Sequence, residues 1–234
     1  MSYPTAMDMT PVIHADEDTR AAFLVRVYQH LGLAVAAFIV FETLLFMTGL
    51  AERIFDLVAG SSGSWLLILG GFMIVNMITS RAAHNLANPA AQYGGLFGLA
   101  AAEAVIFAPM LYYVFNTDGA GTVAAAAFVT IAGFVGLTIV AMVTKSDLSW
   151  LRPVIMFGGI MALVAIAGAL LFGFHLGLWF SIAMVALAGG SILFQTQNII
   201  REYPVWAHVG AAVGLFGSLM TMFWYILRIF SSRN

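Results

Sequence analysis

Residues 121–144 read GTVAAAAFVTIAGFVGLTIVAMVT, a run without one charged side chain. As a helix rising 1.5 Å per residue it is ~36 Å long, enough to cross the ~30 Å hydrocarbon layer of a bilayer. The run is apolar on every face. That separates it from an amphipathic surface helix, and from the ~10-residue alternating strands of a transmembrane barrel. Comparable runs occupy 22–47, 64–80, 93–115, 151–173, 175–199 and 205–230. The chain therefore reads as an all-α membrane protein, a seven-transmembrane-helix bundle. The second run is short. Either it begins inside Gly60-Ser61-Ser62-Gly63, or the bilayer thins around it.

Composition leads to the same class. The chain is 62% hydrophobic and 9% charged, with a mean hydropathy of +0.98. A water-soluble domain carries about 25% charged residues and could not cover its surface with so few. The net charge of -2 leaves no basic face for nucleic acid. With no cysteine there is no disulfide, thiolate metal site or cysteine nucleophile. The segment 1–20 holds Asp8, Asp16, Glu17 and Asp18 against Arg20 alone, and reads as a mobile polar tail rather than a signal peptide. Residues 21–234 read as one helical domain.

Short stop signals separate the runs. Asn88-Pro89 opens the third run and Asn116-Thr117-Asp118-Gly119 closes it. Arg152-Pro153 and Tyr203-Pro204 place proline where a first helical turn has no need of its N–H. The turn at Gly173 to Leu176 is so tight that the runs it joins must be antiparallel neighbours. For orientation, Arg20, Arg26, Arg81, Lys145, Arg152 and Arg201 fall on one side, and Arg53, Arg228 and Arg233 on the other. The basic excess places the N-terminus in the cytoplasm and the C-terminus outside. Gly94 with Gly98, and Gly210 with Gly214, form small-residue pairs at helical spacing. They let helices approach closely, within one chain or in a homodimer.

Few polar residues interrupt the runs. Glu103 lies in the middle of the third run, with at least eight uncharged residues on either side. A carboxylate at that depth costs a few kcal/mol or more unless it is neutral, paired or facing water. It reads either as a proton- or cation-binding group in a polar cavity, or as a carboxyl bonded to a neighbouring helix. Pro109, six residues on, would free backbone carbonyls that could join such a cavity. Glu42 lies in the second half of the first run. Gln195-Thr196-Gln197-Asn198 points polar groups in every direction, so at least one must face the interior.

No enzymatic constellation emerges. The five histidines His14, His30, His84, His175 and His208 show no i, i+4 pair and no His-Glu-x-x-His, so no metal or cofactor is expected. The string around Ser62 matches the Gly-x-Ser-Gly of intramembrane serine proteases but falls in a Ser/Gly loop. The only lysine, Lys145, lies in a loop and cannot form an intramembrane Schiff base with retinal.

Two stretches are more specific. Lys145-Ser146-Asp147-Leu148-Ser149-Trp150-Leu151 resembles the loop between the fourth and fifth helices of the Bax inhibitor-1 family. Ile192-Leu193-Phe194-Gln195-Thr196-Gln197-Asn198-Ile199-Ile200 is similar to the sixth-helix motif of its bacterial, YccA-like branch. Ala108-Pro109 falls where that family has a small or aromatic residue before proline. The resemblance implies a seven-helix bundle with the seventh helix central and surrounded by the other six. It also implies the family's activities: pH-sensitive leak of calcium or other cations, suppression of cell death in eukaryotes, and, in the bacterial branch, modulation of a membrane-anchored AAA protease.

The chain departs from that pattern at one telling place. The paired acids of leak-type members align with Gln195 and Ser218, and a further acid with Gly71. A carboxylate-pair gate is therefore absent at that place. Three readings follow: a non-enzymatic regulator in a bacterial inner membrane that binds another membrane protein such as the AAA protease; a cation or proton leak built around Glu103, Gln195 and Ser218; and an accessory subunit of a larger membrane complex. At the cytoplasmic face, Arg81, Lys145, Asp147 and Arg152 are candidates for a charge cluster, with Asp147 paired to Arg81 or Lys145.

Overall fold

The computed structural model describes residues 10–60 and 62–232. Among the described residues, seven α-helices are long and apolar enough to span a membrane, and an eighth is too short. They are α1 (Glu17–Met47), α2 (Leu50–Ala59), α3 (Ser62–Ala83), α4 (Pro89–Thr117), α5 (Ala120–Val143), α6 (Leu151–Phe172), α7 (Leu178–Arg201) and α8 (His208–Ser231).

Local chemistry sets the boundaries. Asp16 caps α1 by accepting the Thr19 N–H at 2.8 Å, which holds its carboxyl below the usual carboxylate range. Asn88 caps α4 by accepting the Ala91 N–H at 3.1 Å, with Pro89 in the first turn. Gly49 (φ 71°) and Gly173 (φ 74°) end α1 and α6 in the left-handed region, where a side chain would be strained. The second span begins at Ser62, so it is longer than its apolar core suggested.

The short helix α2 fills the break between the first two apolar runs. Its signal was present: Leu50, Ile54, Leu57 and Val58 share one face, while Glu52, Arg53 and Asp56 lie elsewhere. Its Phe55 ring lies 5.4 Å from that of Tyr112 on α4.

The expected mobile tail needs correction from Pro11 onward. Val12 is fully buried and donates its N–H to the Tyr203 carbonyl at 2.9 Å. Pro11 pairs with Pro204 across an antiparallel bridge. The Arg20 guanidinium donates to the Ile13 and Ala15 carbonyls, each at 3.2 Å. The segment is polar in composition, but one buried valine and these bonds dock it on the α7–α8 turn. Residues 1–9 lie outside the described residues.

Two helices make the core. The apolar window of α8 is 72% buried and that of α4 61%, whereas that of α6 is 6% buried and meets the surroundings almost all round. α8 packs against α1, α3, α4, α5 and α7. Phe107 of α4 is the aromatic hub. Its ring lies 5.3 Å from Phe38 of α1, 5.5 Å from Phe223 and 5.0 Å from Trp224, both of α8. The turn at 173–177 leaves α6 and α7 packed as antiparallel neighbours.

Candidate functional site

Glu103 sits halfway along α4, 6% exposed, on the wall of a cavity of about 530 Å³. It lines the cavity and makes no hydrogen bond or ion pair with any described residue. The cavity runs from Glu103 to the α6–α7 turn, where His175 and Leu176 line it. Arg228 of α8 forms part of the same wall and donates to the Leu176 carbonyl at 2.6 Å, which ties the last turn of α8 to that loop. A deep acid is thus reached from one end of the bundle. Pro109 does not join it: it faces a neighbouring cavity of about 430 Å³ beside Phe55 and Trp65. Six residues along a helix is a turn and two thirds, which swings Pro109 to another face.

Gln195 and Ser218 come together, with Ser191 as a third member. The Gln195 amide donates to Ser191 Oγ at 2.8 Å and to Ser218 Oγ at 2.6 Å, and the two hydroxyls lie 2.9 Å apart. Ser191, one turn before Gln195 on α7, was findable by its i, i+4 spacing. Ser218 lies two residues, ~3 Å of helix rise, below Met220 on the cavity wall. The knot therefore lies beside the Glu103 cavity, toward the other end of the bundle, with no ionisable group in it.

The other polar residues of that run go separate ways. Thr196 is buried, and its hydroxyl has no bond of good geometry, although Tyr28 and Thr138 lie close by. Gln197 latches the α5–α6 loop: its carbonyl accepts the Leu148 N–H at 2.7 Å, and its amide donates to Ser146 O at 2.8 Å. Asn198 is half-buried and its side chain bonds to none of the described residues.

The charge cluster forms differently from expectation. Asp147 pairs with Arg201 of α7 at 3.0 Å, not with Arg81 or Lys145. The same carboxylate oxygen accepts the Ser149 N–H at 2.9 Å. That backbone bond first, and the Arg201 charge after it, hold the Asp147 carboxyl below the usual carboxylate range. Arg81, Lys145 and Arg152 are exposed, and none forms an ion pair among the described residues. Arg201 lies ~50 residues away in sequence, so no spacing rule could have named it.

The glycine pairs divide as well. A Cβ on Gly210 would lie 2.8 Å from the His84 ring, and one on Gly214 2.8 Å from Gln195 Oε1. A Cβ on Gly98 would meet the Thr79 methyl at 3.0 Å. Gly94, expected at a helix interface, is exposed and meets nothing within 4 Å. Its neighbour Gly95 holds that role: a Cβ there would collide with Thr79 O and lie 2.6 Å from Ala83 N.

His30, His84 and His208 gather at the end opposite the cavity mouth, where His175 lies. The His30 and His208 rings lie 4.8 Å apart, and His30 Nε2 is 3.0 Å from the Tyr93 hydroxyl. His84 Nε2 is 3.4 Å from the Tyr203 hydroxyl. Among the described residues, no group of three or more His, Asp or Glu is placed to hold a metal ion. Ser61 of the Gly-x-Ser-Gly string lies outside the described residues.

Residues 20–234 match the family described as inhibitor of apoptosis-promoting Bax1. The chain belongs to that family. Its relatives include an uncharacterized protein of Neisseria meningitidis serogroup A, 31% identical over 132 residues, 56% of this chain and 58% of that one. Another is an uncharacterized protein of Campylobacter jejuni, 34% identical over 149 residues, 59% of this chain and 62% of that one. The chain thus spans less than two thirds of the length of these relatives. As a member of the Bax inhibitor-1 family it is a multi-pass membrane protein.

Proposed function

We propose that this Bax inhibitor-1 family protein takes up a proton or small cation at Glu103 and forms one half of a cation or proton leak pathway. One observation carries the reading: the acid is deep, without a partner among the described residues, and open to a cavity that reaches the α6–α7 turn. An acid kept only for packing would bond a neighbouring helix, because an unpaired polar group in the hydrocarbon layer is costly. The basic excess at the Asp147 end supports a cytoplasmic N-terminus in a bacterial inner membrane. In that orientation the cavity opens outside. The experiment is flux into liposomes containing the purified chain, at several pH values, for wild type and Glu103→Gln. Loss of most of the flux in the variant is expected. Equal flux in the two proteins sinks the reading.

A second reading has its own observation. Below Glu103, the buried side chains of Leu96, Leu99, Leu215 and Phe216 fill the layer between α4 and α8. A bundle with a half-cavity above a packed layer can sense an ion without passing it. It would then act as a non-enzymatic regulator bound to another membrane protein, such as a membrane-anchored AAA protease, or as an accessory subunit. Native purification in mild detergent followed by mass spectrometry separates these. A stoichiometric partner together with no flux favours regulation; a chain that purifies alone removes this second reading.

A further inference from the structure

A second buried acid lies on a different face. Glu42 of α1 is 7% exposed, and neither of its carboxylate oxygens has a hydrogen-bond partner among the described residues. It lines a groove of about 510 Å³ between α1, α4, α5 and α8. Only Met220 is shared with the Glu103 cavity, so the two spaces lie on either side of α8. The groove opens sideways. Ile39 (57% exposed), Met47 (79%), Phe115 (50%) and Ile131 (57%) form its rim, and all four belong to membrane-crossing helices.

The polar groups on this groove are few, and all but one are satisfied. The Thr43 hydroxyl donates to Ile39 O and the Thr130 hydroxyl to Ala126 O, each at 2.7 Å. Of these groups, Glu42 alone has no partner among the described residues. No basic side chain lines the groove, and the sole ion pair among the described residues is at Asp147. Glu42 lies five residues before the end of α1, ~7.5 Å of helix rise inside the span. Uncompensated polar groups at such depth are costly and mark ligand or ion sites. A volume of this size, apolar with one polar anchor, is that of a small-molecule pocket.

We propose that the groove is a binding site for a lipophilic amine entering from the bilayer. The cationic nitrogen pairs with Glu42 and the hydrocarbon tail lies along Phe38, Leu111 and Leu219. Charge complementarity selects this occupant. A phospholipid head brings a phosphate, and the groove has no cation to receive it. A neutral lipid tail fills the apolar part and leaves Glu42 unpaired.

The test uses the full chain in phosphatidylcholine nanodiscs. Dicyclohexylcarbodiimide, which attacks carboxyls in apolar surroundings, is the reporter, and mass spectrometry reads each site. Dodecylamine is the probe, and dodecanol is its neutral match. Glu42 is labelled, and dodecylamine slows that labelling by about tenfold when present at ten times its Kd. Dodecanol leaves the rate nearly unchanged, and labelling at Glu103 responds to neither. In a second arm, dodecylamine raises the Tm of the wild type but not that of Glu42→Gln or of Ala127→Leu, which fills the groove while keeping the acid. Equal protection by dodecanol overturns the proposal and leaves a tail-binding groove. So does a Glu42 that the reagent never reaches, or an amine-induced Tm shift that survives in both variants. None of these outcomes depends on ion flux, so the Glu103 reading stands or falls separately.

Discussion

Two adjacent glycines on α4 should respond in opposite directions to the same substitution. Gly95→Ala adds a methyl that collides with the Thr79 carbonyl and lies 2.6 Å from Ala83 N, where ordinary contacts need about 3.5 Å or more. Both obstacles are backbone of α3, so no rotamer change relieves them. The helix pair must separate by about 1 Å, breaking its close approach along the Thr79–Ala83 turn. Overpacking of this kind costs roughly 1–3 kcal/mol, and a chain of this size loses about 2–4 °C per kcal/mol, so a Tm drop of roughly 2–12 °C is expected. Gly94→Ala adds its methyl to open space and gains only helix propensity, about 0.5–1 kcal/mol. The assay is thermal unfolding in mild detergent, followed by tryptophan fluorescence. A Gly95→Ala protein as stable as wild type, or a Gly94→Ala protein as damaged as Gly95→Ala, refutes the register assigned to the α3–α4 contact.

Three further outcomes are expected. Gln197→Ala removes two good bonds to the α5–α6 loop, worth about 1–3 kcal/mol of local opening. Digestion by a lysine-specific protease, which can cut only after Lys145, should accelerate about fivefold to a hundredfold. In the Gln195–Ser191–Ser218 knot, a double-mutant cycle of Gln195→Leu with Ser218→Ala should give a coupling of about 0.6 kcal/mol, up to about 1.7; zero coupling would mean the bond is not made. The Asp147 carboxyl is held low in the fold, so its contribution is present above the ordinary carboxylate pKa of about 3.9 and is lost as pH falls through its lower folded value. Tm measured down the acid range should therefore fall more steeply below about pH 4 in wild type than in Asp147→Asn. Parallel curves would remove the role of that pair.

The candidate site was only partly legible before folding. Glu103 announced itself because a lone acid in a long apolar run has no cheap explanation. Gln195 and Ser218 were paired through a family resemblance, and the structure joins them through Ser191. Arg201 as the partner of Asp147, and His30 beside His208, join residues far apart along the chain. The Gly94–Gly98 spacing marks one stripe of α4 but not which face its neighbour occupies, and α3 lies against Gly95 instead.

By itself, the sequence determined the class of solvent, the seven spans, most of their ends and the presence of one deep acid. Those follow from transfer energies and capping chemistry, which act within a single helix. Which acid opens to the cavity at the α6–α7 turn, which lines the groove between α1, α4, α5 and α8, and which glycine touches a backbone were decided only by the tertiary structure. The reason is geometric: these helices are apolar all round, so hydropathy assigns no inward face. Only the packing of α4 and α8 against their neighbours does so.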